Sequence, residues 1–136
     1  MSTVERWGSG GPWENVVGYS RVVRAGNRWI TAGCTATVDG VLQCPDDAYG
    51  QAIVAFGIAL DALARAGALA TDVVRTRMYL VDPADADAVG RAHAELFGAV
   101  RPAATLVVVA ALIDPAMRVE VELEAFSSPA HGAQAM

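Results

Sequence analysis

Hydrophobic and polar residues follow two different periods along this chain, and the change between them predicts its elements. Apolar and β-branched runs over 20–25, 28–34, 73–81, 103–112 and 117–125 favour strands. Between the runs, apolar residues recur at spacings of three and four in two segments, which predicts two helices. The predicted order is β-β-(β)-α-β-α-β-β, where the bracketed strand is optional and no residues are assigned to it.

Turn and capping residues place the boundaries of these elements. Gly26-Asn27 predicts a hairpin turn between the first two strands, because both residues tolerate positive φ. The first helix is expected to begin at 45–47 and to end at Gly67. Asp82 is expected to cap the second helix, with a proline as its first residue, and Gly98 is suited to the left-handed position at its end.

Two strand-helix-strand segments predict a mixed sheet with both helices on one face, which is an α+β domain. The apolar run over 103–112 is expected to be a strand buried on both faces. At 136 residues the chain fits one domain, 1–136, with a core over about 16–127 and ends that are loops or frayed. The hydrophobic fraction is 54% and the mean hydropathy +0.34, which suggests that the uncovered face of the sheet is buried between subunits.

Charge and composition exclude several classes of function. All 10 basic residues are arginine, so chemistry that needs a lysine, such as Schiff-base formation or a phosphate-binding loop, is absent. The net charge of −5 makes a nucleic-acid partner unlikely. The longest apolar run, 106–113, is too short to span a membrane, and the N-terminus does not resemble a signal peptide. The expectation is therefore a soluble, cytoplasmic protein that has no membrane partner.

Two rows of polar residues are candidates for chemistry. Glu120, Glu122 and Glu124 share one face of the last strand, and Arg75, Arg77 and Tyr79 share one face of the strand over 73–81. A solvated face or cross-strand ion pairs would explain both rows. Alternatively, one glutamate faces a cleft, and Arg77 binds a substrate carboxylate.

Histidine and cysteine residues offer two further candidates. His93 lies at the edge of the apolar stripe of the second helix, where it is either structural or a proton-transfer group. Cys34, at a strand end, is either packed in the core or a nucleophile that has no base adjacent in sequence. The spacing of Cys34, Cys44, His93 and His131 does not suit a metal site, so neither a metal nor a cofactor is expected.

Several short motifs, taken in order, resemble the RidA/YjgF family of enamine/imine deaminases over about residues 18–126. In chain order they are Gly18-Tyr19-Ser20, Gly26-Asn27, Thr31-Ala32-Gly33, Ala66-Gly67, Asp72-Val73-Val74-Arg75-Thr76, Arg101-Pro102-Ala103 and Val119-Glu120-Val121-Glu122-Leu123-Glu124-Ala125. The resemblance implies a chorismate-mutase-like α+β fold, in which two helices lie on one face of a six-stranded sheet. It also implies a homotrimer with three clefts between subunits, and deamination of 2-imino or enamine acids without a cofactor.

The resemblance also implies roles for particular residues. Tyr19 matches a tyrosine that lines the cleft, Gly33 a backbone contact to the substrate beside Cys34, and Glu122 best matches a glutamate that positions the attacking water. The arginine that grips the substrate carboxylate is replaced by Ala104, as in a branch of the family that lacks this arginine.

Because this arginine is absent, we expect ordinary 2-imino acids to be poor substrates, unless Arg101 reaches the cleft and binds the carboxylate instead. A tyrosine of the family's second helix is replaced by His93, which is expected to shuttle a proton to or from a small imine or enamine. A non-catalytic protein that binds a small molecule in the same clefts is the alternative. Ribonuclease activity, a third possibility, has the least support in this acidic chain.

Overall fold

The computed structural model describes residues 3–127, so the predictions for the tail, including His131, lie outside the described residues. The strands are β1 (Val4–Trp7), β2 (Val22–Ala25), β3 (Arg28–Thr31), β4 (Thr37–Val38), β5 (Val41–Leu42), β6 (Val73–Leu80), β7 (Ala103–Val108) and β8 (Val119–Phe126). The helices are α1 (Ala48–Arg65) and α2 (Ala86–Phe97), and single helical turns lie at Glu14–Gly18, Ala70–Asp72 and Pro83–Asp85. Among the described residues, no helix is both long and apolar enough to cross a membrane.

Six strands form one mixed sheet in the order β1-β2-β3-β8-β6-β7, and β4 and β5 form a separate small hairpin. β6 runs parallel to β7 and antiparallel to β8, while the other neighbours are antiparallel. The predicted α+β fold with a mixed six-stranded sheet is therefore confirmed. The sequence pattern does not predict β1, because a strand of four largely exposed residues has no apolar period to detect. This strand lies before the expected start of the core.

Helix α1 begins and ends where the capping residues predict. The Asp47 carboxylate accepts a hydrogen bond from the Gly50 N–H at 2.9 Å, and Gly67 adopts a left-handed φ of 99° just beyond the helix. The Trp29 indole donates to the Ala66 carbonyl at 2.8 Å, which fixes this end of the helix against the sheet. The apolar stripe of α1 thereby faces β3 and β8.

The end of helix α2 differs from the prediction. Gly98 is right-handed, with φ −57°, and Arg101 instead takes a left-handed φ of 62°. A Cβ at Gly98 would lie 2.5 Å from the Ala94 carbonyl oxygen, so the glycine relieves crowding there rather than providing a left-handed turn. At the other end, Asp82 caps the turn Pro83–Asp85 that leads into α2.

The core lies between the helices and one face of the sheet. Phe56 and Phe97 meet edge to face at 5.3 Å between ring centroids, and each is almost fully buried. Burial of a side chain of this size stabilises the fold by about 1.5–3 kcal/mol. On the sheet, Met78 and Leu80 of β6 and the apolar residues of β8 point into this core, so the polar residues that alternate with them occupy the open face.

Strand β7 is not buried on both faces in the single chain, and this prediction is wrong. Five of its six residues are exposed, because it is an edge strand that pairs only with β6, and it ends at Val108 rather than at 112. Val107 and Val108 are 41% and 47% exposed. The continuous apolar run therefore leaves a hydrophobic sheet edge on the surface of the subunit.

Candidate functional site

A shallow pocket of about 380 Å³ lies on the open face, at one end of β6 and β8. Its lining comprises Gly33, Tyr79, Val109, Ala111, Leu112, Glu120 and Glu122. The apolar part comes from the segment after β7, and the polar part from β6, β8 and the residues after β3. Two carboxylates and a phenol thus share a pocket with one glycine backbone, an arrangement suited to a small polar ligand.

The two charged rows meet across β6 and β8, as cross-strand pairing predicts. Arg77 Nη1 donates to Glu124 Oε2 at 2.8 Å, and Arg28 Nη2 donates to Glu124 Oε1 at 3.1 Å. Arg77 is therefore engaged by a carboxylate of its own chain and does not line the pocket. The ion-pair interpretation of this part of the row agrees with the structure.

Glu122 and Tyr79 form a second cross-strand pair, inside the pocket. The Tyr79 hydroxyl donates to Glu122 Oε1, and this hydrogen bond, together with burial, raises the pKa of Tyr79. Tyr79 thus stays protonated at neutral pH. Glu122, which the sequence had singled out, is therefore held by a neighbouring strand.

Glu120 is the other pocket carboxylate, and its surroundings differ. Burial raises its pKa above the ordinary value, the nearby Glu122 raises it further, and the charge of Arg21 opposes both. A Cβ at Gly33 would lie 1.9 Å from Glu120 Oε2, so this carboxylate rests directly against the Gly33 backbone. No hydrogen bond from the described residues contributes to the pKa of Glu120, which leaves its oxygens available to a ligand or a water molecule.

Backbone pairing places Gly33 and Glu120 on the same face of the sheet. Cys34 forms an isolated antiparallel bridge to Val121, with the Cys34 N–H donating to the Val121 carbonyl at 2.7 Å and the Val121 N–H donating back at 2.9 Å. The residues that precede these partners, Gly33 and Glu120, therefore both lie on the opposite face of the sheet. The sequence could not supply this pairing, since it joins segments almost ninety residues apart.

Cys34 and Tyr19 lie beside the pocket and do not line it. Cys34 is 2% exposed, and burial raises the pKa of its thiol, so the packing interpretation fits and a nucleophilic role does not. The Tyr19 hydroxyl is 3.4 Å from Arg21 Nη2, and Arg21 Nη1 donates to the Gly33 carbonyl at 2.7 Å. Tyr19 is thus connected to the pocket through Arg21.

His93 lies on the opposite face of the sheet from the glutamates. Its Nε2 is 2.8 Å from Thr76 Oγ1, and its ring packs against Phe56 and Phe97 with centroids at 5.7 and 4.9 Å. Burial lowers its pKa. The expectation that His93 works beside Glu122 is therefore wrong within one subunit, because the helix stripe that carries it faces the core.

Arg101 and Ala104 also lie outside this pocket. Arg101 is exposed in its left-handed conformation at the turn before β7, and Ala104 is exposed in register with Thr76. Arg101 is not among the described residues that line the pocket. Within residues 3–127, no three His, Cys, Asp or Glu side chains are grouped as metal ligands.

The chain thus belongs to the class of α+β proteins that have a mixed six-stranded sheet, with two helices on one face and a glutamate-lined pocket on the other. The family described as Endoribonuclease L-PSP matches residues 13–127, and the chain belongs to this family, also called YjgF/RidA. The family was expected from the sequence motifs, and the match confirms it.

Individual relatives agree with this assignment. The protein SCO2049 of Streptomyces coelicolor is 49% identical over 123 residues, covering 90% of this chain and 92% of its own. The crystal structure of Rv2704 from Mycobacterium tuberculosis, a member of the YjgF/YER057c/UK114 family, is 39% identical, with a TM-score of 0.84 over 92% of this chain and 100% of its own. E. coli TdcF with bound serine shares the fold at 21% identity and a TM-score of 0.75, over 90% and 94% of the two chains.

Proposed function

We propose that this protein is a homotrimer whose pockets hydrolyse a small imine or enamine without help from a cofactor. Two features support the trimer: the exposed apolar edge at Val107 and Val108, and the open face of the sheet, which no element within residues 3–127 covers. Burial of this edge against a second copy would remove apolar surface from water. The pocket would then lie in a cleft between subunits.

The observation that carries the reaction is the half-buried Glu120 carboxylate against Gly33. Such a group can hold a water molecule and accept its proton as the oxygen attacks the C=N carbon. Glu120 passes this proton to the imine nitrogen, which gives a neutral carbinolamine. The hydroxyl proton of the carbinolamine then moves to its nitrogen through Glu120, the C–N bond breaks, and ammonia and a carbonyl compound leave. An enamine reaches the same products after it tautomerises to the imine by exchanging its N–H proton for one at carbon. Each cycle consumes one water molecule and leaves Glu120 as a carboxylate.

Glu122 was the expected water-positioning residue, and that role stays a prediction. Its hydrogen bond from Tyr79 favours a supporting role, in which the pair shapes the pocket and orients the substrate. Glu120, with no such partner in the described chain, is better placed for the attacking water.

The substrate class follows from what is missing at position 104. A guanidinium that binds a carboxylate is worth about 1.5–3 kcal/mol, and Ala104 cannot replace it. Arg77 is engaged by Glu124 and does not substitute for it. We therefore propose an imine or enamine without a carboxylate at that position, rather than 2-iminobutyrate.

Turnover by two matched variants tests this function. Freshly generated imines with and without a carboxylate would be offered to the wild type, Glu120→Gln and Glu122→Gln, with Glu5→Gln, an exposed glutamate of β1, as the control. The expected result is hydrolysis of a carboxylate-free imine that is abolished by Glu120→Gln, reduced by Glu122→Gln and unchanged by Glu5→Gln. Equal rates in all four proteins would contradict the assignment.

A non-catalytic binding protein is the second candidate, and the position of His93 on the opposite face of the sheet favours it. Among the described residues, neither a histidine nor an arginine lines the pocket. TdcF, a protein of the same fold, was crystallised with serine bound. A ligand that raises the melting temperature of the wild type and is recovered chemically unchanged would support binding without turnover.

A further inference from the structure

An arginine that the sequence patterns did not single out lies beside the pocket. The Arg21 side chain, just before β2, is only 15% exposed. Its Nη1 donates to the Gly33 carbonyl at 2.7 Å and lies 3.4 Å from Cys34 Sγ. A guanidinium in contact with a backbone carbonyl and a buried thiol has a fixed position, unlike the exposed arginines elsewhere on the sheet.

A buried carboxylate holds Arg21 from the other side. Glu14 Oε2 lies 3.7 Å from Arg21 Nε, and the Glu14 side chain is 8% exposed. Both Glu14 oxygens accept from the Ser9 N–H, at 3.0 and 3.1 Å, and Oε2 also accepts from the Ser9 hydroxyl. Burial alone would raise the pKa of Glu14, but these hydrogen bonds and Arg21 lower it overall, so Glu14 is the fixed counterion of Arg21.

Arg21 is connected to the pocket glutamate by contact and by charge. The contact runs through Gly33, whose carbonyl Arg21 holds and whose α-carbon leaves room for Glu120 Oε2. Among the described residues, Arg21 is also the cation whose charge acts on Glu120. The Arg21 side chain therefore contacts the backbone on which Glu120 rests and also places a positive charge near the Glu120 carboxylate.

We infer that Arg21 is a positioning residue of this pocket, which fixes the Gly33 backbone against which Glu120 rests and keeps a positive charge near that carboxylate. The inference rests on the proposed function only because that function gives Glu120 a substrate to act on. The effects of Arg21 on the Glu120 carboxylate and on the Gly33 backbone exist without substrate, so they can be tested in the substrate-free protein.

Burial and two charged groups shift the pKa of Glu120. Glu122, on the same strand, raises its pKa, as burial does, while Arg21 lowers it. Tyr79 from β6 and Cys34 from the segment after β3 both have raised pKa values and are neutral at pH 7. Loss of the Arg21 charge should therefore raise the Glu120 pKa, because only the effects that favour its neutral form remain.

The experiment is a pH titration by NMR of protein carrying ¹³C at the glutamate side-chain carboxyls, with the Glu120 signal assigned from Glu120→Gln. Arg21→Gln should move the Glu120 midpoint upward. Arg21→Lys, which keeps the charge, should leave it near the wild-type value. Arg24→Gln is the control, because Arg24 lies on β2 but pairs with the exposed Glu5, and it should move nothing.

Glu14→Gln provides a test of opposite sign, and it also serves if Arg21→Gln does not fold. Removing the counterion leaves the Arg21 charge less compensated, so the Glu120 midpoint should fall. A Glu120 midpoint that stays unchanged in folded Arg21→Gln, or in Glu14→Gln, would overturn the electrostatic part.

The backbone contact has its own signal. The carbonyl ¹³C shift of Gly33 should change in Arg21→Gln and in Arg21→Lys, since a lysine does not reproduce the guanidinium hydrogen bond. An unchanged Gly33 carbonyl in both variants would overturn the positioning part. Neither measurement uses a substrate, so a failure of the proposed hydrolase activity would leave both results interpretable.

Discussion

Replacement of Gly33 by alanine is the sharpest test of the pocket geometry. The added Cβ would lie 1.9 Å from Glu120 Oε2, 2.9 Å from its Cδ and 3.3 Å from its Cγ. The first two contacts are far below van der Waals separation and the third is slightly below it, and all three are with a single flexible side chain. The expected result is that Glu120 rotates out of its position while the sheet stays intact.

The magnitude follows from the identity of the clashing atoms. Moving one side chain to a poorer rotamer costs of order 0.5–1.5 kcal/mol, far less than a backbone clash. Gly33→Ala should therefore lower the free energy of unfolding by about 1 kcal/mol, measured by urea denaturation. Its effect on the pocket should be much larger, because the displaced carboxylate leaves the site. If the proposed function holds, turnover should fall as far as it does in Glu120→Gln.

A double-mutant cycle separates this mechanism from a general strain at position 33. In a Glu120→Ala background the clashing atoms are absent, so Gly33→Ala should cost almost nothing. An equal loss of stability in both backgrounds would refute the reasoning, because the strain would then come from the backbone. A double variant that is as stable as Glu120→Ala alone, and that is inactive, would agree with the proposed clash.

Three further changes have definite expected outcomes. Gly57→Ala in α1 should stabilise the fold by up to about 1 kcal/mol in urea denaturation, because its Cβ would meet no other atom within 4 Å. Gln51→Leu should destabilise it by about 2–4 kcal/mol in the same assay, since the fully buried amide donates to the Cys44 and Ala116 carbonyls and accepts from the Arg118 N–H. The His93 pKa is lowered by burial, so the unfolded chain binds more protons and stability should fall as the pH drops through about 6.5. His93→Gln should flatten that dependence of the urea midpoint on pH, and an unchanged slope would contradict it.

The sequence predicts much of the scaffold because local signals define it. Both helices and the Gly26 hairpin turn depend on periodicity and turn chemistry within a few residues. β7 shows where this reasoning stops. An apolar run predicts that a segment is buried, but it does not show whether the same chain or a second copy of the chain buries that segment.

The candidate site is harder to predict because it depends on which faces meet. The pattern put His93 at the edge of an apolar stripe, and only the packing of α2 on the sheet shows that it contacts Thr76. The choice between Glu120 and Glu122 depends on their contacts, since Tyr79 donates to Glu122 whereas Glu120 rests against Gly33. Non-local pairing of this kind has no signal in the periodicity of either segment.

The two pocket glutamates lie two residues apart on one strand, yet the structure gives them different chemistry. Glu122 receives a hydrogen bond from a phenol, which holds its geometry. Glu120 receives none from the described chain, and burial raises its pKa above the ordinary value, which makes the carboxylate a stronger base. Adjacent carboxylates in contrasting environments commonly divide the roles of acid–base group and fixed partner. If the proposed function holds, any residual turnover by Glu120→Gln should lose its pH dependence, whereas Glu122→Gln should lower the rate of a reaction that keeps its pH profile.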